Sequence, residues 1–132
     1  MASFVHVLPG MRREIHERAF RLALRVARLR RDPPYARMVR EVVLRQMIRS
    51  AASIGANLEE ATAAQSRADF ASKVAIATKE AREMQYWLRL GHEAGLLREE
   101  EWLTLGPEAR EVAQVVSAIA RSASRPPGSK LS

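Results

Sequence analysis

Polar residues with the capacity for binding or catalysis concentrate on one side of a single predicted helix. Four of them recur at spacings of four, four and three residues, so a helix places them in a row: Arg49, Ser53, Asn57 and Glu60. Such a row is typical of either a small-ligand pocket or a buried polar ladder that fixes helix register. We favour the ladder, because buried polar groups need partners and the next predicted helix supplies Lys73 and Glu80.

A second row of polar residues is cationic and starts on the predicted first helix. Residues 1–50 contain 12 basic and 4 acidic side chains, and all of the basic ones are arginines. Arginine forms forked hydrogen bonds with phosphate, and the row has no interleaved aromatics for base stacking, so it suits contacts with a nucleic-acid backbone. The alternative is an ordinary solvated surface. The candidate nucleic-acid-binding residues are Arg18, Arg21, Arg25, Arg28, Arg31, Arg37 and Arg40.

Other kinds of chemistry lack the residues that they need. The chain has no cysteine, which excludes disulfides, thiolate metal sites and cysteine nucleophiles. His6, His16 and His92 are far apart, and there is no Glu-x-x-His motif of the kind that di-iron bundles use. No serine has a histidine at a fixed offset, and there is no glycine-rich phosphate loop. The sequence therefore predicts no metal, no cofactor and no enzymatic activity.

Apolar periodicity predicts the helices that position these rows. Apolar residues make up 47% of the chain and aromatics 5%, which favours closely packed helices over a sheet. The predicted spans are 11–31, 35–63 and 67–94, then a short helix over 97–105, a break at Gly106-Pro107 and a last helix over 107–123. Ser66 and Asp69 form a predicted capping box before the third span. The fold class is all-α, an antiparallel up-and-down four-helix bundle with short connections.

The apolar surface of the first helix is wider than one neighbouring helix requires. One stripe consists of Ile15, Ala19, Leu22, Val26 and Leu29, and a second ridge consists of Phe20, Leu24 and Ala27. A helix with two apolar ridges suits an oligomer, since one ridge can face the bundle and the other a neighbouring copy. In the second helix, Gly55 beside alanines predicts either a close backbone approach or a local break.

The ends of the chain differ from its middle in composition. We expect a flexible leader over residues 1–10, a helical domain over 11–124 and a disordered, Pro- and Gly-containing tail over 125–132. The start lacks the basic and apolar regions of a secretory signal, and no segment is apolar over the roughly 18 to 20 residues that span a bilayer. The expected location is the cytoplasm, with no membrane partner.

The stretch from Arg49 to Leu88 resembles one protein family. It carries the strings SIGANLEEA, SRADF, KEA and YWL in order, and these resemble the four-helix bundle protein family. That family is also called the intervening-sequence protein family, because members are encoded within inserts in bacterial large-subunit ribosomal RNA genes. The matching positions include Arg49, Ser53, Asn57, Glu60, Lys73, Glu80 and Trp87, and with the flanking helices the resemblance covers about residues 12 to 123.

The resemblance implies an assembly and a set of partners. Members of the family form homopentamers, and a relative, the accessory protein of diversity-generating retroelements, is a basic pentameric barrel that binds nucleic acid and its reverse transcriptase. We therefore expect a non-enzymatic oligomeric scaffold that binds RNA or DNA backbone through the arginines of the first helix. The alternative is a protein-interaction or assembly module without nucleic-acid activity. The family offers no catalytic residues, and its motif residues are expected to be structural.

Overall fold

The computed structural model of the chain describes residues 9–126 and 128. Four helices make up most of this part, α1 (Pro9–Ala27), α2 (Pro33–Thr62), α3 (Arg67–Glu93) and α4 (Glu99–Ala123), and the described residues contain no strand. The all-helical, four-helix prediction is confirmed. Residues 1–8 of the predicted leader and 127 and 129–132 of the predicted tail lie outside the described part, as does His6.

The connection between α1 and α2 is fixed by an N-terminal cap. Asp32 precedes α2 with extended backbone (φ −66°, ψ 144°), and its carboxylate accepts the Tyr35 N–H at 3.1 Å. Pro33 follows at the first helical position, where its missing N–H costs nothing. The Tyr35 hydroxyl donates to the Val26 carbonyl at the end of α1. Helix α1 ends at Ala27, four residues before the predicted end at Arg31. The hydrogen bond from Tyr35 therefore joins the last turn of α1 directly to the first turn of α2.

The start of α3 agrees with the predicted capping box in its main bond. The Ser66 hydroxyl accepts the Asp69 N–H at 3.0 Å. The Asp69 carboxylate reaches back one residue further than expected and accepts the Gln65 N–H at 3.4 Å. At the other end of α3, Gly95 adopts φ +75°, a left-handed conformation that glycine permits, and this ends the helix.

The predicted break at Gly106-Pro107 is wrong, because α4 runs without interruption from Glu99 to Ala123 and includes Pro107. Gly106 is buried, and a Cβ there would meet the Trp102 ring at 3.6 Å, so the glycine makes room for that indole. A proline inside a helix costs about 3 kcal/mol, since it removes one backbone hydrogen bond and crowds the preceding turn. Core packing on both sides of it, by Trp102 and by Ala113, offsets that cost.

The core is divided along α3, which supplies residues to both of its halves. One half joins α2, α3 and α4 and consists of Ile54, Ala61, Val74, Ala77, Ala81, Ala113 and Val116. The other half adds α1 and consists of Phe20, Leu24, Val43, Met47, Leu88 and Leu90. Alanine at the centre of α3 allows close helix approach, and α3 packs mainly against α2 and α4 and much less against α1.

Gly55 and Gly91 differ in how closely other atoms approach them. Gly55 is exposed inside an unbroken α2, with no atom within 4 Å of where a Cβ would lie, so both the predicted close approach and the predicted break are wrong. The close approach occurs at buried Gly91 instead, where a Cβ would meet Leu97 at 3.4 Å and Val43 at 3.5 Å. No helix of the described part is both long and apolar enough to cross a membrane.

Candidate functional site

Of the two apolar ridges of α1, one is buried and the other is exposed. The narrower ridge faces inward, with Phe20 and Leu24 buried in the core. The longer stripe faces outward, and its large members are more than half exposed: Ile15 57%, Leu22 61%, Val26 52% and Leu29 70%. Both ridges were visible in the sequence, but which of them enters the core depends on contacts with α3 that periodicity does not encode.

The exposed stripe continues onto α2. Met38 and Val42 are each half exposed and lie across a shallow groove of about 480 Å³ from Leu22 and Val26. Trp87 and Leu90 of α3 form part of its lining. We refer to this surface as the apolar α1–α2 face, formed by Ile15, Leu22, Val26, Leu29, Met38 and Val42. A patch of this kind on a small chain is typical of an interaction surface.

Arg21 differs from the other arginines of the predicted row, because it forms ion pairs with described residues. Arg21 bonds Glu17 at 3.1 Å and approaches Glu93 at 3.7 Å, so its charge is partly used within the fold. The others are exposed, and none forms an ion pair with a described residue: Arg18, Arg25, Arg28, Arg31, Arg37 and Arg40. The pKa of Glu101 is lowered, chiefly by the Arg98 backbone N–H and in small part by the charge of nearby Arg40.

A clasp between α1 and α3, which sequence reasoning missed, holds the first helix in place. Both Arg89 Nη atoms bond the Glu17 carboxylate, at 2.8 and 3.2 Å, and Arg89 Nε bonds Glu93 at 2.7 Å. The guanidinium also lies 3.7 Å from the centre of the Phe20 ring. Hydrogen bonding by Arg89 lowers the pKa of Glu17 and stabilises its ionised form. Only the Arg89–Glu93 spacing of four residues was visible in the sequence.

The predicted polar ladder exists as two cross-links between α2 and α3. Arg49 donates to Glu80 at 3.2 Å and also to Glu83, which lowers the pKa of the Glu83 carboxyl. Lys73 pairs with Glu60 at 3.1 Å. The predicted burial is wrong, because Arg49 and Glu60 are exposed at the rim of the helix pair. The long side chains reach across the seam from outside it, which leaves the interior to alanine and to buried Ser50.

The remaining motif residues lie apart from these cross-links. Asn57 donates to the Ser53 carbonyl at 2.8 Å and to its hydroxyl at 3.1 Å, so both stay within α2. Trp87 packs edge-on against Tyr86 at 5.4 Å. Its buried indole N–H forms no hydrogen bond with a described residue, and its presence beside Glu83 contributes to the lowered pKa of that carboxyl. The motif therefore does not converge on one point in the structure.

The histidines do not form a metal centre in the described part of the chain. His92 stacks on Trp102, with ring centres 4.2 Å apart and planes 6° from parallel, and its Nε2 lies 3.2 Å from Glu99. His16 is exposed on α1. Within residues 9–126 no three His, Asp or Glu side chains are grouped as metal ligands.

Comparison with known proteins adds a family and a solved relative. A family model described as 23S rRNA-intervening sequence protein matches residues 12–118. A crystal structure from Bacteroides thetaiotaomicron VPI-5482, described as a protein with unknown function from the S23 ribosomal protein family, is 40% identical, with a TM-score of 0.58. That match covers 61% of this chain and 74% of the other. No curated protein matches the chain.

Proposed function

Because the chain belongs to the 23S rRNA-intervening sequence protein family, we propose that it is a non-enzymatic scaffold that assembles with copies of itself and contacts the phosphate backbone of RNA or DNA. The four helices form an antiparallel up-and-down bundle, and the assembly is the cytoplasmic, bacterial homopentamer that the family resemblance implies. The observation that carries this proposal is the exposed stripe of α1, which lies beside Arg18 and Arg25, neither of which forms an ion pair with another described residue.

Support for self-association comes from the apolar α1–α2 face. A side chain of leucine, valine or methionine contributes about 1.5–3 kcal/mol when it is moved from water into a packed interior. Leu22, Val26 and Leu29 are left more than half exposed. A neighbouring copy is chemically suited to cover them with a different part of its own surface, as the head-to-tail contacts of a ring require, because the face has no charged residue at its centre.

Support for the backbone contact comes from the charges beside that face. Arg18 and Arg25 flank the stripe and line a shallow cavity on α1 together with Ile15, Leu22 and the ion pair of Glu17 with Arg21. When apolar faces of several copies meet, the same arginines are repeated around the assembly. A repeated array of guanidinium groups releases several counterions at once on binding a polyanion, so affinity falls steeply with salt.

The assembly is tested by light scattering on the purified protein. A mass near five times 14.8 kDa is expected, and Leu22→Glu should lower it to that of one chain, because a carboxylate would have to be buried in the interface. Leu103→Glu is the matched control, since Leu103 on α4 is 63% exposed against 61% for Leu22. A single-chain mass for the unaltered protein, or equal loss in both variants, would contradict the assembly.

The backbone contact is tested by the anisotropy of a labelled 20-nucleotide RNA at a series of salt concentrations. Arg18, Arg25 and Arg28 are changed together to Gln. Each lost phosphate contact should lower the slope of log affinity against log salt by about 0.7 on a single strand, so the triple change lowers it by about 2. An unaltered slope would remove α1 from the contact.

A protein-interaction module without nucleic-acid activity is the second candidate. The observation that favours it is the internal use of Arg21 by Glu17 and Glu93, which reduces the free charge of the row. This candidate gives the oligomer without RNA or DNA binding and with a protein partner, such as the reverse transcriptase that the resemblance implies. A pentamer with no affinity for the labelled RNA at low salt would favour it over the scaffold that binds nucleic acid.

A further inference from the structure

A second basic surface lies between α3 and α4, on residues that the sequence did not single out. It is an open groove of about 320 Å³, and buried Ala113 forms part of its floor. Six polar side chains line it: Arg82, Gln85, Arg110, Gln114, Ser117 and Arg121. We call this surface the α3–α4 groove. No carboxylate is part of its lining.

The polar groups of the groove are unused by the described part of the chain. None of the three arginines forms an ion pair with another described residue, and none of the six side chains forms a hydrogen bond there. The arginines elsewhere on α3 behave differently, since Arg89 is held by two carboxylates. Ser117 is only partly exposed, yet its hydroxyl does not bond the preceding turn as helical serines commonly do.

This arrangement favours an anionic ligand rich in acceptors. Three guanidinium groups repel one another in the absence of a counter-charge, and each presents a donor fork that fits a phosphate. The amides of Gln85 and Gln114 and the Ser117 hydroxyl add neutral donors beside them. Each of these groups can donate a hydrogen bond to a phosphate oxyanion, whereas an apolar ligand would leave all of these donors without an acceptor.

The spacing of the arginines favours an extended ligand over a single phosphate. Arg110 and Arg121 are about three turns apart on α4, or about 16 Å. Thr78 lies opposite Val116, and His92 lies opposite Trp102, so Arg82 falls between the other two along the groove. Even one strand of a duplex carries a phosphate for each ~3.4 Å of helix axis, so a length of about 16 Å spans several phosphates of a strand and is too long for a single phosphate group.

We propose that the α3–α4 groove binds consecutive phosphates of a polynucleotide strand, as a contact surface separate from the α1 arginines. That the polyanion is a nucleic acid rests on the proposed function. The position of the groove does not, since it is defined by its own residues. Its test must therefore distinguish loss at the groove from loss at α1.

The first experiment compares two variants that each remove three positive charges. The affinity of the full-length protein for a labelled 20-nucleotide RNA is measured by anisotropy from 0.1 to 1 M salt. Changing Arg82, Arg110 and Arg121 to Gln should lower the salt slope by about 2, which is about 100-fold in affinity at 0.1 M when binding at 1 M is unchanged. A salt slope in this variant equal to that of the unaltered protein would overturn the inference.

The second triple variant, with Arg18, Arg25 and Arg28 changed to Gln, separates the two proposals. Loss of slope at the groove alone supports the inference and removes α1 from the proposed function. Loss at α1 alone does the reverse. Loss in both supports both surfaces, provided that circular dichroism shows the same helix content in each variant.

A pair of single changes on α4 tests the position of the ligand against general charge. Ser117→Glu places a carboxylate inside the groove, and Ser122→Glu places the same charge on an exposed position about one and a half turns further along α4. The first should weaken RNA binding at 0.1 M salt by about fivefold or more, the loss expected for one phosphate contact on a single strand, and the second by less than threefold. Equal weakening by both would overturn the inference.

Competition identifies the source of the phosphate. Inorganic phosphate and uridine monophosphate at millimolar concentration, with ionic strength held constant, should not displace the RNA, because neither spans the three arginines. Displacement by either would replace the strand with a small-phosphate site and overturn the inference. Equal displacement by an oligoglutamate peptide of matched charge would also overturn it, since carboxylates would then serve as well as phosphates.

Discussion

Helices α1 and α3 of this protein have similar proportions of apolar residues but differ in how many of them they bury. In α3, Val74, Ala77, Ala81 and Leu88 are no more than 1% exposed, and the helix contributes to both halves of the core. In the described part of α1, Phe20 and Leu24 are buried while the longer apolar stripe faces out. The difference indicates a division of labour, in which α3 organises the fold and α1 is attached to it with a surface left for partners.

The largest expected effect lies in α3. Changing Leu88 to Ala should lower the free energy of unfolding by about 2–5 kcal/mol, because a fully buried leucine leaves a cavity that neighbours only partly fill. Urea denaturation measures the change, at a protein concentration where light scattering shows single chains, so that assembly does not contribute. The matched change Leu22→Ala, on the exposed stripe of α1, should cost a single chain no more than about 0.5 kcal/mol. Similar losses in both variants would erase the contrast between the two helices.

A smaller and more local effect is expected at Phe20. This ring lies beneath the Arg89 guanidinium and meets Tyr86 edge-on at 5.7 Å, so it joins α1 to α3. Phe20→Ala should release α1 while α2, α3 and α4 stay folded, because the other half of the core contains no α1 residue. Amide hydrogen exchange should then show at least tenfold faster exchange in α1 and little change at Val74. Equal acceleration in both helices would show that α1 is an integral part of the core.

The smallest effect is the response of the α1 clasp to acid. Hydrogen bonds from Arg89 hold the pKa of Glu17 below its ordinary value of 4.5. A depressed carboxylate pKa gives stability that is present above pH 4.5 and is lost as the pH falls through the folded-state value. Exchange of α1 amides, corrected for its intrinsic pH dependence, should therefore rise modestly below pH 4.5. In the Glu17→Gln variant, α1 amides should exchange faster at pH 7, and their exchange should no longer rise below pH 4.5. A rise like that of the unaltered protein would mean that another group causes the pH response.

Much of the fold follows from local sequence, and the failures share a cause. The four helices, the Ser66 cap and the use of Lys73 and Glu80 as partners of the α2 polar row could be predicted because period, caps and neighbouring helices are encoded within short stretches. The continuous α4 could not, since the proline rule at Pro107 was outweighed by packing on both sides of it.

The candidate surfaces were harder to predict than the helices. The inward face of α1 depends on the contact of Glu17 with Arg89, 72 residues away, and no periodicity encodes it. In the same way, Arg82, Arg110 and Arg121 are scattered single arginines in the sequence, and only the packing of α3 against α4 brings them to one groove. The arginine row of α1 was visible because a helix alone places its members together.

The clasp between Glu17 and Arg89 also sets the order of events while the chain is being made. Residue 17 leaves the ribosome 72 residues before its partner, about 4 to 14 s earlier at roughly 5–20 residues per second. By contrast, Arg49 waits for only 31 residues before Glu80 follows it. Helix α1 therefore spends the longest time of the four without its neighbour, and its apolar ridges are then open to chaperones or to other nascent copies.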